Sequence, residues 1–374
     1  MNLKELTKKG LPLIILALSL SLKLLATYAP GMLPFVFPLW IYRTLSQLFS
    51  TLLSLLPFSF TELILILIPL YCLYGLGKGI YLWIHKKSAH IFWRKVGKRV
   101  WVLSCVLISF FILTAGINYH RKPLSDYVGL DVQPLQKEEL IQILDYLTDI
   151  TNSAAENTGR NREGGYLAQH SFFTNSRLIQ SAYDSLSLSY PFLKGRYPSV
   201  KPLVLSRWVS YTYIQGFFFP FTFEVNINND IPHFMIPAVI AHEQAHLRGL
   251  MREEEAEYAV YLLARYASDN DLKYSFYLST LIRSMNVLYR IDAESYHIIL
   301  ARFSDRLTKD INDFENYWRA FQSPMGKLSQ RVNDAYLKAN NQSDGVLSYG
   351  RVTELLIADY TLTQTLKNEQ DEHH

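Results

Sequence analysis

Three runs of nearly unbroken apolar sequence, at residues 11–29, 63–84 and 100–117, limit what this chain can fold into more than any other feature. Each approaches the roughly 20 residues a helix needs to cross about 30 Å of hydrocarbon. Lys23 interrupts the first, Lys78 sits near the end of the second, and the third has no charge. Residues 33–60 are also apolar, but Pro34, Pro38, Arg43 and Pro57 break them up. The segment therefore reads as interfacial or re-entrant, with a fourth span as the alternative. Apolar residues make up 49% of the chain and charged residues 19%, which excludes general disorder.

Charge divides the chain in two. Residues 1–122 carry 14 basic and 2 acidic side chains, and the remainder carries 23 and 31. Lys4, Lys8 and Lys9 precede the first apolar run. Lys86, Lys87, Arg94, Lys95, Lys98 and Arg99 separate the second from the third, whereas only Arg43 lies between the first two. The positive-inside rule then puts the N-terminus and the second connection in the cytoplasm. Three spans place everything after Asn118 outside; a fourth would reverse that part or strand the basic connection. The lipid bilayer is thus the expected partner of residues 1–122. The acidic remainder argues against nucleic acid. A cleaved signal peptide is not expected, because the first run is long and no small-x-small site follows it. Cys72 and Cys105 are the only cysteines and both precede residue 118. A disulfide scaffold and a four-cysteine metal cluster are excluded, and the outer part must stand without disulfides.

Residues 123–374 read as mainly helical. Leu140, Ile143, Leu144 and Leu147 recur at helical spacing within residues 135–157. Residues 157–165 read as a loop, 171–187 as a helix, and 191–202, with three prolines, as a connector. The texture then changes to Phe-Phe-Phe-Pro-Phe-Thr-Phe-Glu-Val-Asn-Ile-Asn at 217–228. From Thr222, the residues Thr222, Glu224, Asn226 and Asn228 alternate with Phe223, Val225 and Ile227. Period two predicts a strand with one buried face. Pro220 suits an edge or a strand's first residue. Asn229, Asp230 and Pro232 then supply turn chemistry.

The sharpest motif follows at once. His242-Glu243-Gln244-Ala245-His246 is an H-E-x-x-H sequence on a helix opened by Pro237 and closed by Gly249. Histidines four residues apart project from one helix face and can share one tetrahedral metal. Glu243, one step round, is placed to take a proton from water. The next helix begins Glu253-Glu254-Glu255-Ala256-Glu257. Ala256, Ala259, Val260, Leu263 and Tyr266 form its apolar stripe, and Glu254 points away from that stripe. Glu253 and Glu255 flank it on opposite sides, so pattern leaves either as a third ligand.

The H-E-Q-A-H helix followed by a helix starting E-x-E-A resembles the gluzincin class of zinc peptidases. That resemblance implies Glu253 as the ligand, with Ala256 and Glu257 in the pair that follows; Glu257 stands where those enzymes usually carry Asp or Asn. The whole layout resembles the uncharacterised bacterial membrane family DUF3810. The resemblance is carried by the basic N-terminal spans, the P-F-T-F-E-V-N-I-N segment, the H-E-Q-A-H helix and S-Y-G-R-V at 348–352. It covers most of the chain and implies a bacterial membrane location, but no substrate.

These readings converge on a mainly α protein: three transmembrane helices in residues 1–122, then an extracytoplasmic zincin-like domain in 123–374 with a short strand or hairpin before the motif helix. The expected activity is hydrolysis of a peptide or protein substrate. Zn2+ would be held by His242, His246 and Glu253, with Glu243 as general base. The strand at 222–228 would either bind extended substrate through its main chain or serve as a structural arm. The competing expectation is a non-catalytic receptor or assembly factor whose metal site is degenerate, or closed by a fourth ligand such as His233 or Glu255. His233, His297, Tyr289, Tyr296 and Arg351 are further candidates for polarising a carbonyl or holding an oxyanion, although such residues more often serve as core or surface groups. His373 and His374 read as tail.

Overall fold

A computed structural model describes residues 3–85 and 87–372. Lys86, His373 and His374 therefore lie outside the described residues. The chain divides into two compact units. The first is Met1–Arg121 together with Phe219–Glu224, and the second is Lys122–Phe218 together with Val225–His374.

The first unit contains α1 (Leu3–Tyr28), α2 (Leu33–Val36), α3 (Leu39–Ser54), α4 (Phe60–Ile84) and α5 (Ala89–Thr114). Three stretches are long and apolar enough to cross a membrane: Gly10–Tyr28, Phe60–Ile84 and Ala89–Thr114. The stretch at 33–60 holds only short helices. Its longest, α3, has 16 residues and rises about 24 Å, less than a hydrocarbon core. Pro38 caps its start, and Pro57 lies just past its end.

The basic cluster before the third span differs from its expected place. Its spacing predicts a connection, yet Arg94, Lys95, Lys98 and Arg99 lie on the first three turns of α5. No proline interrupts residues 89–114, and long basic side chains can run their stems along apolar surface toward water. The connection shrinks to a few residues after His85.

The second unit contains α6 (Leu124–Val128), α7 (Lys137–Glu156), α8 (Phe172–Ser189), β1 (Val200–Pro202), α9 (Ser206–Ser210), β2 (Gly216–Phe219), β3 (Glu224–Ile227), α10 (Ile236–Leu247), α11 (Glu253–Ala264), α12 (Asn270–Ile291), α13 (Ala293–Leu300), α14 (Asp305–Ala320), α15 (Pro324–Ala339) and α16 (Val352–Glu372), with the junction of β2 and β3 assigned to the first unit. The helix α7 packs along α12, and α11 packs against α10, α12 and α16. Leu140, Ile143, Leu144 and Leu147 of α7 are all fully buried, as their spacing predicts. Every residue of α10 is buried, and so is every residue of α11 except Glu254. A helix closed off on all sides belongs at the centre of a core.

The sheet order is β1–β3–β2, and β1 runs parallel to β3 with Val200 opposite Val225 and Pro202 opposite Ile227. Residues 200–202, expected within a connector, form a strand too short to show a period. The alternation at 222–228 overstated its strand: Thr222 and Phe223 are in a turn, and β3 starts at Glu224. Its polar positions do not face water either. Glu224, Asn226 and Asn228 are fully buried, so the alternation marks two different buried environments. Asn228 Nδ2 donates to Ser210 Oγ at 2.9 Å and to the Ile214 carbonyl at 3.0 Å. Because β3 is the central strand, it has no edge to offer a substrate; β2 lies at an edge of the sheet.

Within the first unit the segment Phe219–Glu224 completes α4. Its first N–H groups have no partner inside the helix. Glu224 supplies one: Oε1 accepts from Phe60 N at 3.1 Å, and Oε2 accepts from Thr61 N and Thr61 Oγ1, each at 2.7 Å. Ser59 Oγ adds a third contact to Glu62 N at 2.9 Å. A carboxylate also complements the positive end of the helix dipole. Phe223, held in the left-handed region at φ 54°, packs its ring against Phe49, Tyr42 and Phe110 at centroid distances of 5.4, 5.9 and 6.2 Å. That packing holds a backbone conformation bulky residues normally avoid.

Glu224→Ala should leave these buried N–H groups bare and destabilise the protein by on the order of 2 kcal/mol. A thermal melt of the detergent-solubilised full chain checks this; an unchanged midpoint would show that the cap is not stabilising.

Candidate metal centre

Helix α10 carries the motif. Pro237 lies in its first turn, where a missing N–H costs nothing, and Ala238 N is satisfied by Ser275 Oγ at 3.0 Å. The helix stops after Leu247, Gly249 turns the chain at φ 102°, and α11 begins at Glu253. This tight reversal folds the first turn of α11 back over the histidine face of α10.

Three side chains meet there. His242, His246 and Glu253 are all buried, and each offers one ligand atom within 4.8 Å of the others. His242 Nε2 lies 3.0 Å from Glu253 Oε2, and His246 Nε2 lies 3.5 Å from the same oxygen. Ligands bound at about 2.0–2.1 Å around a tetrahedral ion stand about 3.4 Å apart, so this donor set fits zinc. The opposite ring nitrogens are engaged. His246 Nδ1 meets the Leu250 carbonyl at 2.7 Å, and His242 Nδ1 meets Glu257 Oε2 at 3.1 Å. Both partners are acceptors, so both Nδ1 atoms carry hydrogen and both Nε2 atoms face Glu253.

Glu257 is held in turn by Arg283 Nε at 2.7 Å and by Ser279 Oγ, which donates to Oε1 at 2.8 Å. Glu257, held in this way, reaches the first histidine of the motif. The carboxylates separate by their surroundings. Burial opposes charge on Glu253, but His246 and His242 hold its carboxyl well below the usual range. Burial likewise opposes charge on Glu257, and Arg283 and His242 hold it low. Burial opposes charge on His242 too, yet hydrogen bonds to Glu253 and Glu257 push it up to about 10. His246 is raised against the same penalty by Glu253.

Glu243 stands beside this group, its charge coupled to those of His242, His246 and Glu253. Burial pushes its carboxyl up. Its Oε2 accepts from the backbone N–H of Phe218 on β2 at 2.7 Å. Gly216 makes that approach feasible, since a Cβ there would come 2.6 Å from Val239 Cγ1 and 3.2 Å from Glu243 Cγ.

The two alternatives for the third ligand part company here. Glu255 turns away and accepts from Leu124 N at 2.8 Å and from Arg252 Nη1 at 2.5 Å. Glu254 bonds Gln342 Nε2 at 2.7 Å, and burial pushes it up to about 7. The further candidates do not join the three-residue group. His233 is exposed in the turn before α10; Arg351 pairs with Asp344; Tyr296 packs edge-on against Tyr289 and His297 at the α12–α13 junction. Sequence reasoning missed Phe218, Gly216, Ser279 and Arg283. The first acts through its backbone, and the others carry no periodic or motif signal.

The sequence profile of a family described as "Protein of unknown function (DUF3810)" matches residues 38–357. No curated protein and no solved structure matches the chain.

In the metal-free protein His242 holds its second proton until about pH 10. Metal binding near pH 7 must expel it, so apparent zinc affinity should rise with pH toward that value, with roughly one proton or more released per ion. Calorimetric titration in buffers of different ionisation heat measures this count; a count of zero would contradict the assigned protonation.

Proposed function

The chain belongs to the DUF3810 family, and we propose that it is a membrane-anchored zinc metallopeptidase. The observation that carries this reading is the convergence of two imidazole Nε2 atoms and one carboxylate oxygen on a single point beside a buried glutamate. Among the described residues this group has three members, the number that leaves a coordination position open for chemistry. A closed structural site would need a fourth, and Glu255 is occupied by Arg252 and Leu124.

Bound zinc would polarise the peptide carbonyl and ease the deprotonation of water. Glu243 would accept a proton from the attacking water and deliver it to the leaving amine. Its burial-raised carboxyl suits that exchange, because a group that binds a proton readily can hold one between the two steps. Glu257, fixed by Arg283 and Ser279, orients His242, and the Leu250 carbonyl orients His246. The edge strand β2, half-buried and tied to Glu243 through Phe218, is the segment placed to align an extended peptide.

The second unit would work outside the cytoplasm. Lys87, Arg94, Lys95, Lys98 and Arg99 cluster at the α4–α5 end, which the positive-inside rule assigns to the cytoplasm. A C-terminal reporter active only outside the cytoplasm should therefore be active; a silent reporter with an active cytoplasmic counterpart would reverse the orientation.

Glu243→Gln should keep one bound zinc per chain and lose hydrolysis of a fluorogenic peptide library by about 10²–10⁴-fold. Unchanged hydrolysis in that variant would remove Glu243 from the mechanism. A wild-type protein that takes up no zinc would overturn the proposal as a whole.

A further inference from the structure

We propose that Arg248 is a positioning residue for the metal centre, acting through the helix that carries both histidines; the proposal rests on the metallopeptidase reading above. Arg248 follows the last turn of α10, two residues past His246, and is 2% exposed. A side chain this polar normally reaches water from a helix end. Here it folds back into the core. Nη1 donates to the Gln244 carbonyl and to Gln244 Oε1, each at 3.0 Å. Nε donates to the Leu193 carbonyl at 3.2 Å, and Nη2 donates to Gln180 Oε1 at 3.2 Å.

The guanidinium also lies between two aromatic rings, 3.6 Å from the Tyr183 centroid and 4.7 Å from that of Tyr197. Cation–π attraction is strongest in such a dry setting. Tyr183 reaches the same helix a second time: its hydroxyl donates to the Ala241 carbonyl at 2.8 Å. The motif from His242 to His246 is therefore bracketed by the Ala241 contact before it and by Arg248 after it, and beyond the helix both are anchored on Gln180 and Tyr183 of α8 and on Leu193 and Tyr197.

Two fixed points on one helix set both its rotation and its shift along its axis. Those are the two coordinates that decide whether both Nε2 atoms aim at Glu253. The cation also lies against the carbonyl end of α10, where the dipole favours positive charge. Lysine would keep that charge but would lose the planar fork and the stack.

The test uses the full chain in detergent, with Co2+ as a spectroscopic stand-in for zinc. In Arg248→Lys, cobalt affinity should fall at least about tenfold and the visible absorption should shift, with helix content retained. Arg160 is the control. It is a second guanidinium in the same unit, paired with buried Asp310 and facing Tyr166 and Tyr274. Arg160→Lys should lower the melting midpoint without altering the cobalt spectrum. Tyr183→Phe keeps the ring under Arg248 and drops only the Ala241 bond, so its cobalt spectrum should shift in the same direction by less; it decides the matter if Arg248→Lys does not fold. Wild-type affinity and spectrum in Arg248→Lys, or in Tyr183→Phe where that variant decides, would overturn this inference alone. No cobalt uptake by the wild type would overturn the metallopeptidase reading and this inference with it.

Discussion

Buried carboxylate charge is the constraint around which the second unit is organised. Four glutamates, Glu243, Glu253, Glu255 and Glu257, lie within two adjoining buried helices. An ionised carboxylate in such a place is tolerated only with a partner. Each has a different set of partners. Glu257 takes Arg283, Ser279 and His242; Glu255 takes Arg252 and a backbone N–H; Glu253 takes the two histidines; Glu243 takes the Phe218 N–H. The run Glu253-Glu254-Glu255-Ala256-Glu257 resembles a solvated face in composition, yet only Glu254 keeps appreciable contact with solvent. What distinguishes the four acids is thus the donor that each meets. Only Glu253 meets two imidazoles whose other nitrogens are already committed, which is the arrangement that invites a divalent ion.

This distribution explains how far the site was legible in the amino-acid sequence. His242 and His246 were readable because four-residue spacing on a helix fixes a shared face. Glu253 against Glu255 was not decidable from pattern, since both flank the apolar stripe and the choice turns on what lies opposite. Leu124 and Arg252 draw Glu255 away, and Leu124 is more than a hundred positions distant in the chain. Arg283 and Ser279, from α12, were invisible for the same reason: they acquire a role only when another helix arrives beside them. Phe218 contributes an N–H, which every residue except proline owns, so its side chain carried no signal at all.

The fold shows the same division. Apolar spacing located α7, the H-E-x-x-H motif between Pro237 and Gly249 located α10, and nearly unbroken apolar runs located three stretches long enough to span a membrane. The strand region is less legible. Alternation between Phe, Val or Ile and Thr, Glu or Asn usually means one dry face and one wet face. In the strand region both faces are dry: Asn228 donates to Ser210 and to the Ile214 carbonyl, and Glu224 accepts from the first turn of α4. Alternation reports a difference between faces, and water is only the commonest cause of it. Residues 200–202 gave no warning that they form a strand, since three residues carry too little pattern to register.

The cap on α4 bears on how the chain is made. Thr61 and Glu224 are 163 positions apart, yet the carboxylate of one closes the first turn of the helix begun by the other. At translation rates of about 5–20 residues per second, the interval between the two is on the order of ten to thirty seconds. The long apolar helices are therefore synthesised well before the segment that completes their unit. During that wait the exposed amides of α4 must be satisfied by water, lipid headgroups or the insertion machinery. Completion of the first unit is a late event, timed by synthesis of the middle of the polypeptide.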